Sequence, residues 1–141
     1  MSTRCYIAKV EPDNSVKAIY CHFDGYPEGV GKTLLDHYVN EEKINALLEL
    51  GDISSLGELV SPSPDDPSSK KDVTVAYHRD RGEDKHEARP FIDEEELGKK
   101  VDDDIFIEYT YLFKSGKWFV RLDSEWKDLK EVLKEIEQEC P

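Results

Sequence analysis

The sequence has few of the residues that build metal centres or disulfide frameworks. Its 141 residues include three cysteines and four histidines, and no two cysteines form a Cys-x-x-Cys pair. An odd number of widely spaced cysteines argues against both a structural zinc site and a disulfide framework. We therefore expect no metal and no cofactor, and we expect Cys5 and Cys21 to be ordinary buried thiols.

Long apolar runs are also missing. No stretch approaches the roughly 20 apolar residues that a transmembrane helix needs. The first ten residues, MSTRCYIAKV, contain no apolar core of the kind found in signal peptides. We expect neither export nor membrane insertion, and we expect the protein to act in the cytoplasm.

Positive charge is scarce. There are 19 Lys and Arg residues against 32 Asp and Glu residues, so the formal net charge is -13. This charge repels nucleic-acid phosphates and anionic lipids, and we expect neither a nucleic acid nor a membrane as a direct partner. It favours a protein partner with a basic surface. The alternative is that the charge only keeps a soluble protein from associating.

The chain suits one domain, residues 1–141, because its apolar content of 38% is enough for a single core. Alternating patterns predict an N-terminal β-hairpin, and helical spacing follows Pro27. Asn40 is a suitable cap for a second helix. The predicted elements of this half are strands at residues 3–10 and 16–23, helices at 27–38 and 41–50, an irregular turn at 53–60, and a flexible polar loop at 61–71.

The sequence pattern of the second half predicts strands and helices in separate blocks. Ser124 is a suitable cap for a last helix with an apolar stripe that begins at Trp126. The predicted elements are a strand at residues 73–77, a helix from 93 to 101, a hairpin of strands 105–113 and 118–122, and a helix from 124 onward. This pattern predicts an α+β domain, an antiparallel sheet of about five strands with helices packed mainly on one face.

Residues 20–38, YCHFDGYPEGVGKTLLDHY, form the first polar cluster of the chain. Its Gly-Lys-Thr at residues 31–33 suggests a phosphate-binding loop, but five residues instead of four separate Gly25 from Gly31. The alternative is that the helix N-terminus binds some anion through its free N–H groups.

The same cluster suggests two further kinds of site. Cys21, His22 and Asp24 are the residue types of a Cys/His nucleophile pair or a metal site, but no metal-binding spacing is present. Asp24 is also suited to a turn before Gly25. A rigid exposed turn with Tyr26 as a contact anchor and Glu28 beside it is suited to recognition of a partner.

Residues 77–86, YHRDRGEDKH, form the second polar cluster and are predicted to follow a strand as a loop. Tyr77, His78, Arg79 and Arg81 gather cationic groups that can bind a phosphate or a carboxylate. The alternative is that neighbouring carboxylates, such as Asp80, neutralise the cations in surface ion pairs.

Two segments carry a resemblance to a known family. They are IYCHFDGYPEGVGKTLLDHY (residues 19–38) and VTVAYHRDRGED (residues 73–84), and Lys-Trp-Phe-Val follows at residues 117–120. With the start MSTRCYIAKV they resemble a family of small acidic accessory proteins of bacteriophages, prophages and related mobile elements. The resemblance covers most of the chain and carries no catalytic role. It implies an inhibitor of host defence that acts in the cytoplasm of the host cell.

These observations favour a non-enzymatic phage-type protein that binds and inhibits a bacterial host factor, such as a CRISPR nuclease or another antiviral defence component. The alternative is a small-ligand binder or signal sponge for a nucleotide-like anion. A small hydrolase or nuclease using the first cluster is a third hypothesis. The residues that would line the anion pocket are His22, Lys32, His78, Arg79 and Arg81. Whether the two clusters meet in space decides between the first two hypotheses, and the sequence does not predict the oligomeric state.

Overall fold

The computed structural model describes residues 3–62, 65, 68 and 72–139. In this part of the chain there are eight strands and five α-helices, so the α+β class is confirmed. The strands are β1 (Cys5–Val10), β2 (Val16–Cys21), β3 (Ile53–Ser55), β4 (Val75–Ala76), β5 (Arg89–Phe91), β6 (Tyr109–Lys114), β7 (Lys117–Leu122) and β8 (Glu125–Asp128). The helices are α1 (Lys32–His37), α2 (Glu41–Glu49), α3 (Tyr77–Arg81), α4 (Glu94–Asp102) and α5 (Leu129–Glu139), and a π-helical turn (Pro27–Gly31) precedes α1.

The strands form one sheet in the order β4-β3-β2-β1-β6-β7-β8, with β5 also paired to β2. The predicted antiparallel sheet of about five strands is wrong, because β1 pairs with β6 and β2 pairs with β3 in parallel. Strand β1 is buried along almost its whole length. Because a central strand is buried on both faces, its sequence does not indicate which distant segment pairs with it.

Helices cover both faces of the sheet unequally. Alternate residues of β1 point to opposite faces, and Ile7 belongs to a core with side chains from α1, α2 and α5. Ala8 belongs to a smaller core on the other face, to which α4 contributes Leu97 and Val101. Most helical packing is therefore on one face, and α4 is the cover of the other.

The strand predicted at residues 73–77 is shorter than expected, and the loop predicted after it is a helix. Strand β4 has two residues, and α3 (Tyr77–Arg81) is followed by Gly82, whose φ of 68° is left-handed. The Ala76 N–H donates to Asp80 Oδ2 at 2.7 Å. This side-chain bond within the segment 76–80 supports a helical turn that alternation of apolar residues does not reveal.

The last helix starts later than predicted. Ser124 lies in a turn with a φ of 63°, and Trp126 belongs to β8. Trp126 is opposite Arg121 of β7, and the Arg121 guanidinium carbon lies 5.1 Å from the centre of its ring. This cation–π pair holds Trp126 on the sheet, and α5 begins at Leu129.

One prediction falls on a part of the chain of which few residues are described. The polar loop predicted at residues 61–71 lies mostly outside the described residues, as does Cys140. Among the described residues, no helix has the length and apolar character needed to cross a membrane.

Candidate functional site

The turn after β2 is held firmly in place by backbone hydrogen bonds. The N–H groups of His22 and Phe23 donate to β3 carbonyls, to Ile53 O at 3.3 Å and Ser54 O at 3.0 Å. Asp24 then turns the chain with a φ of 57°. Gly25 N–H donates to Thr3 O at 2.9 Å, while the Gly25 carbonyl accepts from the Tyr111 hydroxyl at 2.6 Å. The turn is therefore tied to the N-terminal end of β1 and to β6.

A second set of contacts fixes the entry into α1. The Val30 N–H donates to Asp24 O at 2.8 Å, and the chain passes so closely that a Cβ on Gly29 would lie 2.5 Å from that oxygen. Gly31 is buried and helical, with a φ of -56°. The Gly-Lys-Thr sequence is therefore part of a continuous helical segment, and the loop geometry that cradles phosphates is absent from these described residues.

A shallow cleft of about 270 Å³ opens beside this turn. Carboxylates dominate its polar lining, and we call this set of residues the acidic corner. It consists of Asp24, Tyr26, Glu28, Lys32, Asp36, His37 and Glu58.

The charges of the acidic corner are only partly balanced within the corner itself. Lys32 Nζ lies 4.0 Å from Asp36 Oδ2, and His37 Nε2 lies 3.4 Å from Glu58 Oε1. The other two carboxylates, Asp24 and Glu28, have no ion pair with a described residue. The corner therefore carries an excess of negative charge.

Tyr26 reports this negative potential. The residue is 39% exposed, and its hydroxyl donates to Asp24 Oδ1 at 3.4 Å. The negative charge of Asp24 is the main cause that raises the pKa of Tyr26, and Glu28 adds to it. The predicted contact anchor is thus an accessible tyrosine beside two carboxylates that have no ion pair with a described residue.

His22 and Cys21 have separate partners. The Tyr20 hydroxyl and His22 Nδ1 are 2.7 Å apart, and the His22 ring packs edge-on against Phe23 at 4.6 Å between centres. The Cys21 thiol is buried, donates to Phe23 O at 3.5 Å and belongs to a residue that lies opposite Cys5 of β1. Neither contact is the hydrogen bond between His22 and Cys21 that would activate a Cys/His nucleophile.

In the second cluster, Arg79 acts as a structural tie. A guanidinium has five N–H donors, and here all five are used. Nη1 donates to Val60 O at 2.7 Å and Ser61 Oγ at 3.0 Å. Nη2 donates to Thr74 O at 2.8 Å and Asp80 Oδ2 at 2.9 Å, and Nε donates to the same carboxylate at 3.1 Å. Arg79 therefore has no donor left for a ligand in this arrangement.

The other predicted binding groups of the second cluster also have neighbours within it. His78 Nδ1 lies 2.9 Å from Glu83 O, and Arg81 Nε lies 3.0 Å from Glu83 Oε2. The Arg81 guanidinium carbon lies 5.2 Å from the centre of the Tyr77 ring. The cations of α3 are thus balanced locally, as the ion-pair alternative expects.

The two clusters approach each other through Tyr20 and Tyr77. Both rings line a second cleft, of about 590 Å³, and the Tyr77 N–H lies 3.4 Å from Asp52 O. Lys32 lines the acidic corner instead. None of the five residues predicted for an anion pocket lines this second cleft, and of the five only Lys32 lines the acidic corner.

Asp52 and Arg89 are central to this region and were not predicted. Arg89 donates two parallel bonds to the Asp52 carboxylate, both at 2.8 Å, and the Tyr20 N–H donates to Asp52 Oδ1 at 2.9 Å. The hydrogen bond with Asp52 is the main cause that raises the pKa of Arg89. This pair fills the gap on the edge of β2 between β5 and β3. The only sequence signal was an Asp directly after the Gly that ends α2.

No group of three or more His, Cys, Asp or Glu side chains within residues 3–62, 65, 68 and 72–139 is placed to hold a metal ion. Comparison of the chain with models of known protein families, with curated proteins and with solved structures finds no match. The functional argument therefore depends on the geometry of the acidic corner.

Proposed function

We propose that the protein is a non-enzymatic, phage-type accessory protein that binds a bacterial host protein with a basic surface and inhibits it. The host factor would be a component of antiviral defence, such as a CRISPR nuclease. The observation that carries the proposal is the acidic corner, where two carboxylates without an ion pair to a described residue lie beside an exposed tyrosine on a fixed turn.

The chemistry of the corner suits a Lys or Arg side chain of the partner. A carboxylate binds a guanidinium through charge-assisted hydrogen bonds, and a tyrosine ring can stack beneath the same group. Asp24 and Glu28 have no ion pair with a described residue and do not have to give one up on binding. Since the turn is already fixed by its hydrogen bonds to Thr3 and Tyr111, little ordering cost opposes association.

The same geometry gives less support to a nucleotide-like anion as the ligand. Lys32 lies in a cleft with four carboxylates, which oppose the approach of a phosphate. Arg79 uses its donors within the protein, and Arg81 is paired with Glu83. The hydrolase or nuclease hypothesis ranks third, because His22 and Cys21 have structural partners.

Charge reversal at the corner tests the proposal. A tagged wild-type protein and the double variant Asp24→Lys/Glu28→Lys would each be used to capture partners from a bacterial lysate at low salt. We expect the wild type to recover a protein with a basic surface. Affinity for the purified partner should fall with salt and fall about 100-fold in the variant, the equivalent of about 2.8 kcal/mol.

The matched control is Glu95→Lys/Asp103→Lys, which changes the net charge equally. Both residues are exposed, on and just after α4, which covers the other face of the sheet. This variant should bind like the wild type. Recovery of no partner at low salt, or equal losses in both double variants, would contradict a specific acidic interface.

Inhibition needs its own measurement. The partner's activity would be assayed with increasing amounts of the wild-type protein, and phage plating would be measured on a strain that carries the corresponding defence. We expect stoichiometric inhibition and restored plating with the wild type, and neither with the corner variant. Binding without any loss of partner activity would exclude the inhibitor part of the proposal.

A further inference from the structure

Cys5 and Cys21 lie directly opposite each other on the antiparallel strands β1 and β2. Both are free and fully buried, and the pKa of the Cys5 thiol is raised by its burial and by the neighbouring Cys21 thiol. Cross-strand neighbours of this kind are the arrangement in which one covalent bond can join two strands without moving either chain far.

The hydrogen-bond pattern identifies the spacing of this pair. The Tyr20 N–H points away from β1, since it donates to Asp52 on the opposite edge of β2. Tyr6 and Tyr20 are therefore a non-hydrogen-bonded pair, and the adjacent Cys5–Cys21 pair is the wider, hydrogen-bonded type. Such pairs have Cα atoms about 5.5 Å apart, within the range of about 4.4 to 6.8 Å that a disulfide spans. Their Cβ atoms, however, are further apart than a relaxed disulfide prefers.

The turn at Gly25 covers these thiols. A Cβ on Gly25 would lie 2.9 Å from the Cys5 Cβ and 2.7 Å from Thr3 O, so the turn rests directly on Cys5. The carbonyl of Phe23, one residue before the turn, accepts from the Cys21 thiol. Since both thiols are fully buried, an oxidant reaches the pair only when the structure around them opens, and the turn that rests on Cys5 is part of that cover.

We propose that Cys5 and Cys21 are a modification site, at which a small disulfide such as glutathione disulfide drives formation of a reversible cross-strand disulfide. One cysteine, as the thiolate, attacks glutathione disulfide and releases one glutathione thiolate. The second cysteine thiolate then attacks the protein sulfur of the mixed disulfide and expels the second glutathione. The two cysteines lose two protons and two electrons, and glutathione disulfide is reduced to two glutathione molecules.

The wide spacing of the pair makes this disulfide easily reduced. A bond that pulls two Cβ atoms together against the strand spacing is strained, and strained disulfides have more oxidising potentials than relaxed structural ones. Burial, the main cause, together with the neighbouring Cys21 thiol raises the pKa of the Cys5 thiol, so few thiolates are available while the turn is closed. Oxidation is therefore slow, limited by opening of the turn, and is reversed by excess reduced glutathione.

The test uses the folded full-length protein, as the wild type and as Cys140→Ser, which leaves only the opposed pair. Each is incubated with glutathione disulfide, and intact mass and alkylation of free thiols are measured over time. In Cys140→Ser we expect loss of two hydrogen atoms and of both alkylation sites, reversed by excess reduced glutathione. The wild type should show the same Cys5–Cys21 link in peptide mapping. Persistent free thiols, or only glutathione adducts, would overturn the proposal.

Two kinds of variant separate the covalent step from access to it. In the Cys140→Ser background, Cys5→Ser and Cys21→Ser should each stop at a glutathione adduct, since no second thiol is present. Gly25→Ala should oxidise about tenfold faster, because its Cβ displaces the turn and makes opening more frequent. Circular dichroism would check that this variant remains folded. An unchanged oxidation rate in a folded Gly25→Ala protein would contradict the claim that the turn controls access to the thiols. The serine variants test formation of the Cys5–Cys21 disulfide independently of that claim.

Discussion

The acidic corner and the second cluster both gather charged groups at the start of a short helix, and they use those charges in opposite ways. In the corner, Asp24 and Glu28 pair with none of the described cations. In the second cluster, Arg79 uses all of its donors and Arg81 pairs with Glu83. The comparison teaches that a count of hydrogen-bond partners, and not the presence of charge, distinguishes a candidate binding surface from a structural one.

The largest effect that we expect is on folding stability, from Arg79→Ala. The change removes hydrogen bonds that tie Thr74 and Val60 to α3, and the Arg79 side chain that makes them is only 28% exposed. The free energy of unfolding should fall by about 2 to 3 kcal/mol, measured by urea denaturation.

Arg81→Ala is the matched control for this change. The Arg81 side chain is 51% exposed and forms a surface ion pair. Its removal should lower the free energy of unfolding by about 0.5 kcal/mol or less. Equal losses for the two arginines would contradict the structural assignment of Arg79.

A second comparison uses one glycine from each region. Gly29→Ala places a Cβ 2.5 Å from Asp24 O, and the turn must shift to make room. We expect a loss of about 1 to 3 kcal/mol in stability together with weaker partner binding.

Gly82→Ala meets no atom within 4 Å, but its φ of 68° is unfavourable for alanine. This substitution should lower the free energy of unfolding by about 1 kcal/mol, as replacement of a left-handed glycine by alanine usually does. It should leave partner binding unchanged. Unfolding curves and binding isotherms of both variants check this contrast. A Gly29→Ala protein that binds normally would show that the shape of the corner is not needed.

The smallest effect is a pair of opposite pKa changes in two tyrosines. Asp24→Asn removes the main cause of the raised pKa of Tyr26, so that pKa should fall toward its ordinary value near 10. Burial is the main cause that raises the pKa of Tyr77, and the Arg81 charge opposes it, so Arg81→Ala should raise that pKa further. NMR titration of labelled tyrosines measures both pKa values. Changes of the two pKa values in the same direction would contradict the claim that the acidic corner and the second cluster have electrostatic potentials of opposite sign.

Local signals in the sequence predicted the local parts of the fold. The Asn40 side chain caps α2 as expected, accepting from the Glu42 N–H at 2.7 Å. The β1–β2 and β6–β7 hairpins are confirmed as pairs joined by a short turn, although β6 begins at Tyr109 and not at residue 105 as predicted. The parallel pairing of β1 with β6 was not predictable, since it depends on packing between segments about a hundred residues apart.

The local turn of the candidate site was predictable from the sequence, but the contacts that distant segments make with it were not. The turn at Asp24 and the exposed Tyr26 follow from Gly and Pro around them. The contribution of Glu58 to the same cleft does not, because it comes from the chain after β3. Likewise, no local pattern shows that Arg79 reaches Val60 and Thr74.

Amide hydrogen exchange of the protein, with and without its purified partner, tests the central claim most directly. The account predicts that binding slows exchange in residues 24–37, and that residues 77–86 exchange at the same rate in both states. The Glu95→Lys/Asp103→Lys protein should show the same protection as the wild type. Protection of residues 77–86 without protection of residues 24–37 would contradict the assignment of the acidic corner as the binding surface.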